Sequence, residues 1–188
     1  VPVSAPTEIE GAVDEGFKTY RDVPAQHLAY EAIGHLGYQN VVQGYADQTF
    51  RPEALVTRGQ AAAMLNRILQ KRATQPVMFR DVGQSNPFAR DIAAMNEAGI
   101  LKGYENEMYG LNDPLTKGQL AVILDRAFAY SKRMTAISSV EQYEDGPFHY
   151  WMADAIYGLK AFDQTGMFQT ATFEVGEHVT RATFSAAT

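Results

Sequence analysis

The chain has 188 residues, 46% of them hydrophobic, and no cysteine, so it can bury a core but has neither a disulfide nor a thiolate metal ligand to help hold it. Its net charge of −6 at neutral pH excludes a broad nucleic-acid surface, which needs clustered Lys and Arg. No apolar run is long enough to span a membrane, and the opening Val1-Pro2-Val3-Ser4-Ala5-Pro6 lacks the basic start and apolar centre of a signal peptide, so membrane insertion is not expected and an exported form would be the processed one.

In chain order, residues 1–16 read as a loosely structured lead-in. A first helix follows, with Ala29, Ala32, Ile33 and Leu36 at helical spacing. The stretch Gly44-Tyr45-Ala46-Asp47-Gln48-Thr49-Phe50-Arg51-Pro52 has the composition of turns. Thr57-x-x-Gln60 is a capping box that opens a second helix with the apolar stripe Ala61, Met64, Leu65 and Ile68. Gln70–Pro76 reads as a linker, and the same order then recurs. Phe88, Ile92 and Met95 mark a helix, and Thr116-x-x-Gln119 caps another that carries Leu120, Ile123, Leu124 and Ala127. After a second linker at Ser131–Ser138 come Met152, Ala155, Ile156 and Leu159, then Thr180 and Phe184. The last helix reaches Thr188 after little more than two turns; so short a helix is marginal alone and is expected to be held by packing of the other units, with a natural continuation removed.

The recurrence is in register. Offsets of 59 and 64 carry Ile33 onto Ile92 and Ile156, and they also align Asp22 with Asp81 and Asp145, and Leu36 with Met95 and Leu159. Two sets of aromatics follow the same offsets: Tyr20, Phe79 and Tyr143, and Phe50, Tyr109 and Phe173. No single unit can cover its own apolar stripes, so the expected fold is all-α, with three helix-loop-helix repeats (17–72, 76–131 and 140–188) sharing a core around a pseudo-threefold axis as one domain.

The candidate site lies at the starts of the second helices. Thr57-Arg58, Thr116-Lys117 and Thr180-Arg181 fall at one register. A cation in a first turn is mildly unfavourable for the helix, whereas free N–H groups there favour an anion, so Arg58, Lys117 and Arg181 point to an anionic ligand. Other readings stand beside this one. Thr57 and Thr116 serve as caps in any case, and Gly44 and Gly103 suit either a positive φ or close approach of a ligand. Asp22, Asp81 and Asp145 are caps or loop acceptors, the two aromatic sets are core plugs, and Trp151 is either a stacking surface or buried. His27, His35, His149 and His178 have no metal-ligand spacing, and neither a catalytic carboxylate pair, a nucleophile motif nor a phosphate loop is present, so no cofactor, metal or catalysis is expected.

Tyr20-Arg21-Asp22-Val23-Pro24, Gly44-Tyr45-Ala46-Asp47 through Pro52, and Val56-Thr57-Arg58-Gly59-Gln60 together resemble the three segments of an S-layer homology (SLH) motif. The second unit keeps Phe79-Arg80-Asp81-Val82, Gly103-Tyr104 and Leu115-Thr116-Lys117, while the third retains Asp145, Trp151 and Val179-Thr180-Arg181. The resemblance implies a three-pronged spindle on a bacterial cell surface, outside the cell. Its grooves between repeats would bind a secondary cell-wall polysaccharide through a terminal pyruvylated N-acetylmannosamine. The family's Thr-Arg-Ala-Glu segment is matched by Thr57-Arg58-Gly59-Gln60, Thr116-Lys117-Gly118-Gln119 and Thr180-Arg181-Ala182-Thr183, none of which keeps the acid. Lys117 lacks the bidentate fork of Arg, Met167 replaces the glycine of the third loop, and Leu28 and Pro87 stand where the third unit has Trp151. The implied ligand set is therefore Arg58, Arg181, Lys117, Thr57, Thr116, Thr180, Gly44, Gly103, Asp22, Asp81, Asp145 and Trp151. Arg58 is expected to matter more than Lys117, and the alternative is a structural assembly module whose sugar grooves are degenerate.

Overall fold

The computed structural model describes residues 16–134 and 140–188. Of the expected lead-in only Gly16 falls among them, and residues 135–138 of the second linker lie outside. The described residues are helical and contain no strand: α1 (Tyr30–Tyr38), α2 (Arg58–Leu69), α3 (Ala89–Glu97), α4 (Lys117–Phe128), α5 (Tyr130–Arg133), α6 (Tyr150–Phe162) and α7 (Arg181–Ala187). The described residues are thus all-α, with α2 packed on α3, α4 on α6, and α7 back on α1.

Local chemistry sets the starts of the longer helices. Thr57 and Thr116 each accept a hydrogen bond from the backbone N–H three residues on, and Gln60 and Gln119 reciprocate at the cap backbone, completing both expected capping boxes. Thr180 caps α7 through the Thr183 amide, with the two threonine hydroxyls 2.9 Å apart. Helices α2 and α4 both stop at a left-handed residue, Gln70 (φ 50°) and Ala129 (φ 56°), although neither is glycine. Part of the second expected linker is helical: Tyr130–Arg133 forms α5, held where Asp125 accepts from the Ser131 amide and hydroxyl.

The three aligned aspartates do not cap helices. α1, α3 and α6 have no side-chain cap at all. Asp22 instead accepts from the amides of Phe50 and Arg51, Asp81 from those of Tyr109, Gly110 and Leu111, and Asp145 from those of Phe173 and Glu174. Each carboxylate therefore closes a loop between two parts of its own segment. Burial opposes ionisation of Asp81, but its backbone hydrogen bonds outweigh that and hold its pKa below the usual carboxylate range.

Above each aspartate clamp sits an aromatic pair, Tyr20 with Phe50, Phe79 with Tyr109, and Tyr143 with Phe173, at centroid separations of 5.2, 5.3 and 5.4 Å. The buried apolar side chains form one cluster running from Tyr20 to Ala187, so the described residues share a single core.

Candidate functional site

Short antiparallel bridges join the residues just before α2, α4 and α7: Leu55 to Thr180, Thr57 to Pro114, and Thr116 to His178. They bring the start of each of these helices against the segment that follows it, with the last returning to the first. The same order governs the amides of the first turn. Arg58 and Gly59 donate to the carbonyls of Asp113 and Leu111, Lys117 and Gly118 to those of Glu177 and Val175, and Arg181 and Ala182 to those of Ala54 and Pro52. With the next amide taken by the threonine cap, the free N–H groups expected at these helix starts are all engaged. This corrects the sequence-based picture of unpaired amides awaiting an anion: each helix start is closed by a neighbouring backbone, not left open.

The cations follow the same cyclic order. Arg58 Nε donates to the Tyr109 carbonyl at 2.8 Å and Nη2 to that of Lys102 at 2.9 Å. Its guanidinium lies 4.8 and 4.7 Å from the ring centroids of Tyr104 and Tyr109, and the residue is 5% exposed. Arg181 repeats the arrangement against the first segment. Its Nε donates to the Phe50 carbonyl at 2.9 Å and its Nη2 to that of Gln43, while the guanidinium lies 4.3 Å from the Phe50 ring and 5.5 Å from that of Tyr45. It is less deeply buried than Arg58. Burial lowers its pKa from the ordinary arginine value. Lys117 has no fork with which to hold two carbonyls; its Nζ sits 5.2 Å from the Phe173 ring and 3.0 Å from Glu177 Oε2.

The remaining candidates divide by position. Thr57, Thr116 and Thr180 are helix caps, and Asp22, Asp81 and Asp145 are loop clamps. Gly44 and Gly103 have no positive φ. A Cβ at Gly44 would stand 2.3 Å from the Tyr20 ring, and one at Gly103 the same distance from that of Phe79, so close packing of an aromatic is what requires glycine at both. Trp151, at 53% exposure, is on the surface beside Tyr150 at 84%.

Sequence reasoning did not single out Tyr45, Tyr104, Glu177, Lys18 or Arg21. The recurrence of Gly-Tyr at 44–45 and 103–104 could have pointed to the two tyrosines. Lys160, buried at 3% exposure with its ammonium 4.0 Å from the Tyr143 ring, has no counterpart in the other segments: the repeat offsets place Asn96 and Gly37 there.

The arrangement defines a helical module in which arginines, aromatics and loop carbonyls meet at the seams between successive segments. Residues 19–62 and 79–121 match the family model described as the S-layer homology domain. The chain is also similar to three curated proteins. An endoglucanase of Bacillus sp. (strain KSM-635) is 30% identical over 67% of this chain and 13% of its own length. A cellulosome-anchoring protein of Acetivibrio thermocellus is 24% identical over 71% of this chain and 30% of its own. The S-layer protein sap of Bacillus anthracis is 32% identical over 59% of this chain and 14% of its own. The chain therefore spans less than a third of each of these relatives.

Proposed function

We propose that the chain is a non-catalytic module that anchors a protein to a bacterial cell surface by binding an acidic wall polysaccharide at the seams between three S-layer homology repeats, 17–72, 76–131 and 140–188. The third repeat and the pseudo-threefold relation among the three are part of this proposal. Supporting them are the Asp145 clamp, the Thr180 cap and the cyclic order of bridges, which treat residues 140–188 like the two matched segments. The names of the cellulosome-anchoring and S-layer relatives favour anchoring over catalysis.

The observation that carries the acidic ligand is the seam held by Arg181. There a partly exposed guanidinium, the Tyr45 ring (42% exposed) and the Gly44 loop meet at the surface. A pyruvate ketal presents a carboxylate and a methyl group, which such a seam can meet with a guanidinium and an aromatic face. Arg58 is too deeply enclosed to be the first contact, and Lys117 already faces Glu177. We therefore place the principal groove at Arg181 and the first-repeat loop, with Trp151 as a separate surface for sugar stacking.

The test is retention on purified secondary wall polysaccharide before and after chemical removal of the ketal pyruvate. Retention that falls at least tenfold on removal is the expected result; equal retention on both would overturn the carboxylate reading. A second reading, an assembly module with closed grooves, is favoured by the engaged helix starts, and absence of binding to either polysaccharide would select it.

A further inference from the structure

The first-repeat loop carries more positive charge than the polysaccharide reading uses. Beside Tyr45 lies a cleft of about 350 Å³ lined by Lys18, Thr19, Tyr20, Arg21, Gly44, Tyr45 and Gln48. Two further cations lie against the Tyr45 ring: the Arg51 guanidinium is 3.7 Å and that of Arg181 5.5 Å from its centroid. The acids nearby are committed elsewhere. Asp47 is held by Thr49 and Arg51, and Asp22 by the amides of Phe50 and Arg51. Among the described residues neither Lys18 nor Arg21 makes an ion pair, and both are exposed. Among the described residues Lys18 and Arg21 thus line the cleft with no acid in its lining, a local concentration of positive charge on a chain whose net charge is −6.

Such a concentration is not required by the fold. The main-chain amides of Lys18 and Arg21 tie the loop down, donating to the carbonyls of Gly34 and Gln48, while both residues are exposed and Lys18 Nζ lies 5.5 Å from the Tyr20 ring centroid. Like charges gathered at one cleft repel each other, and a bound anion relieves that repulsion. Tyr45, 42% exposed, lines the cleft and offers an aromatic surface to a sugar, whereas Tyr20, also in the lining, is 7% exposed and belongs to the core.

We infer that the Lys18–Arg21 cleft is a second anion subsite, taking a carboxylate or phosphate carried on a sugar next to the one held at Arg181. This rests on the polysaccharide reading above. It makes the chain a reader of a charge pattern along the polymer, with Tyr45 as the shared wall between two acidic substituents.

The experiment is calorimetric titration of the wild type and of the double variant Lys18→Gln, Arg21→Gln, each with purified wall polysaccharide at several salt concentrations and with pyruvylated N-acetylmannosamine alone. The subsite predicts that the double variant binds the polymer about tenfold more weakly at low salt, with a salt dependence shallower by about one ion. Binding of the monosaccharide should stay within about twofold, since it reaches only the Arg181 groove. Polymer affinity and salt slope both unchanged would overturn the inference. Polymer with its carboxyls reduced and polymer with its phosphodiesters cleaved tell the two anion sources apart, since whichever treatment abolishes the difference between wild type and variant removes the group in question. If the wild type binds neither polymer nor monosaccharide, the anchoring reading itself fails. The subsite is then judged by amide shifts of residues 18–21 and 44–48 on titration with D-glucuronate and methyl phosphate, where absence of any shift would overturn it.

Discussion

At position 103 only a hydrogen fits. A Cβ there would lie 2.3 Å from Phe79 Cε1 and 2.7 Å from the Met108 carbonyl oxygen. Gly103→Ala must push the Phe79 ring away from Tyr109, and we expect a loss of about 2 kcal/mol in urea denaturation. The recurrence of Gly44 and Gly103 was legible in the sequence, but its cause was not: a glycine kept for φ and one kept for a neighbouring ring look the same until the ring is placed. In the third segment Met167 fills the position, and Tyr143 there donates its hydroxyl to the Phe168 carbonyl and stacks with Tyr157. Asp81 shows the same limit, since its register was visible but not the three amides, 28 to 30 residues away, that it binds. Because its folded pKa lies below the ordinary value, its contribution is fully present above the usual carboxylate range and fades as pH falls through the folded value. Asp81→Ala is therefore expected to cost about 2 kcal/mol near neutral pH. Melting temperatures measured across an acid series should show the gap to wild type closing as the pH drops.

Helices α2 and α4 were readable because their signals are local. The Thr-x-x-Gln boxes and the apolar stripes of α2 and α4 lie within one or two turns of sequence, and the structure has them in place. Helix α5 was not readable: Ser131-Lys132-Arg133 has a linker's composition, and what makes it helical is the Asp125 carboxylate reaching across the reversal at Ala129. That reversal and its partner at Gln70 place a side chain in the left-handed region, where glycine is the easier residue. Gln70 is exposed, so Gln70→Gly is expected to stabilise the protein by about 0.5 to 1 kcal/mol, read as a rise in melting temperature. A fall would mean that the αL geometry at Gln70 is not maintained.

Across the whole molecule the three cations close a ring, the first segment reaching the second, the second the third, and the third the first. Spacing alone put Arg58, Lys117 and Arg181 at one register, but which neighbour each one touches depends on how the segments pack, and no local pattern encodes that. The order of their contributions follows from their surroundings. Arg58 is almost fully enclosed, and Arg58→Ala would strand the carbonyls of Lys102 and Tyr109 and empty the space between two tyrosine rings. We expect a cost of about 3 kcal/mol. Arg181 makes the matching pair of bonds but is partly open to water, which can satisfy part of what its removal exposes, so Arg181→Ala should cost about half as much. Lys117 pairs with a Glu177 side chain that is 53% exposed, and its loss should cost about 1 kcal/mol or less. Chemical denaturation of the three variants tests the ranking. Binding should rank them differently, because a residue that holds a seam shut is not the one that meets the polymer: Arg181→Ala should lose the most affinity per unit of stability lost, and Arg58→Ala the least. If both measurements gave the same order, the cations would contribute to binding only by keeping the fold closed, and the groove would have to be sought at the exposed Tyr150 and Trp151.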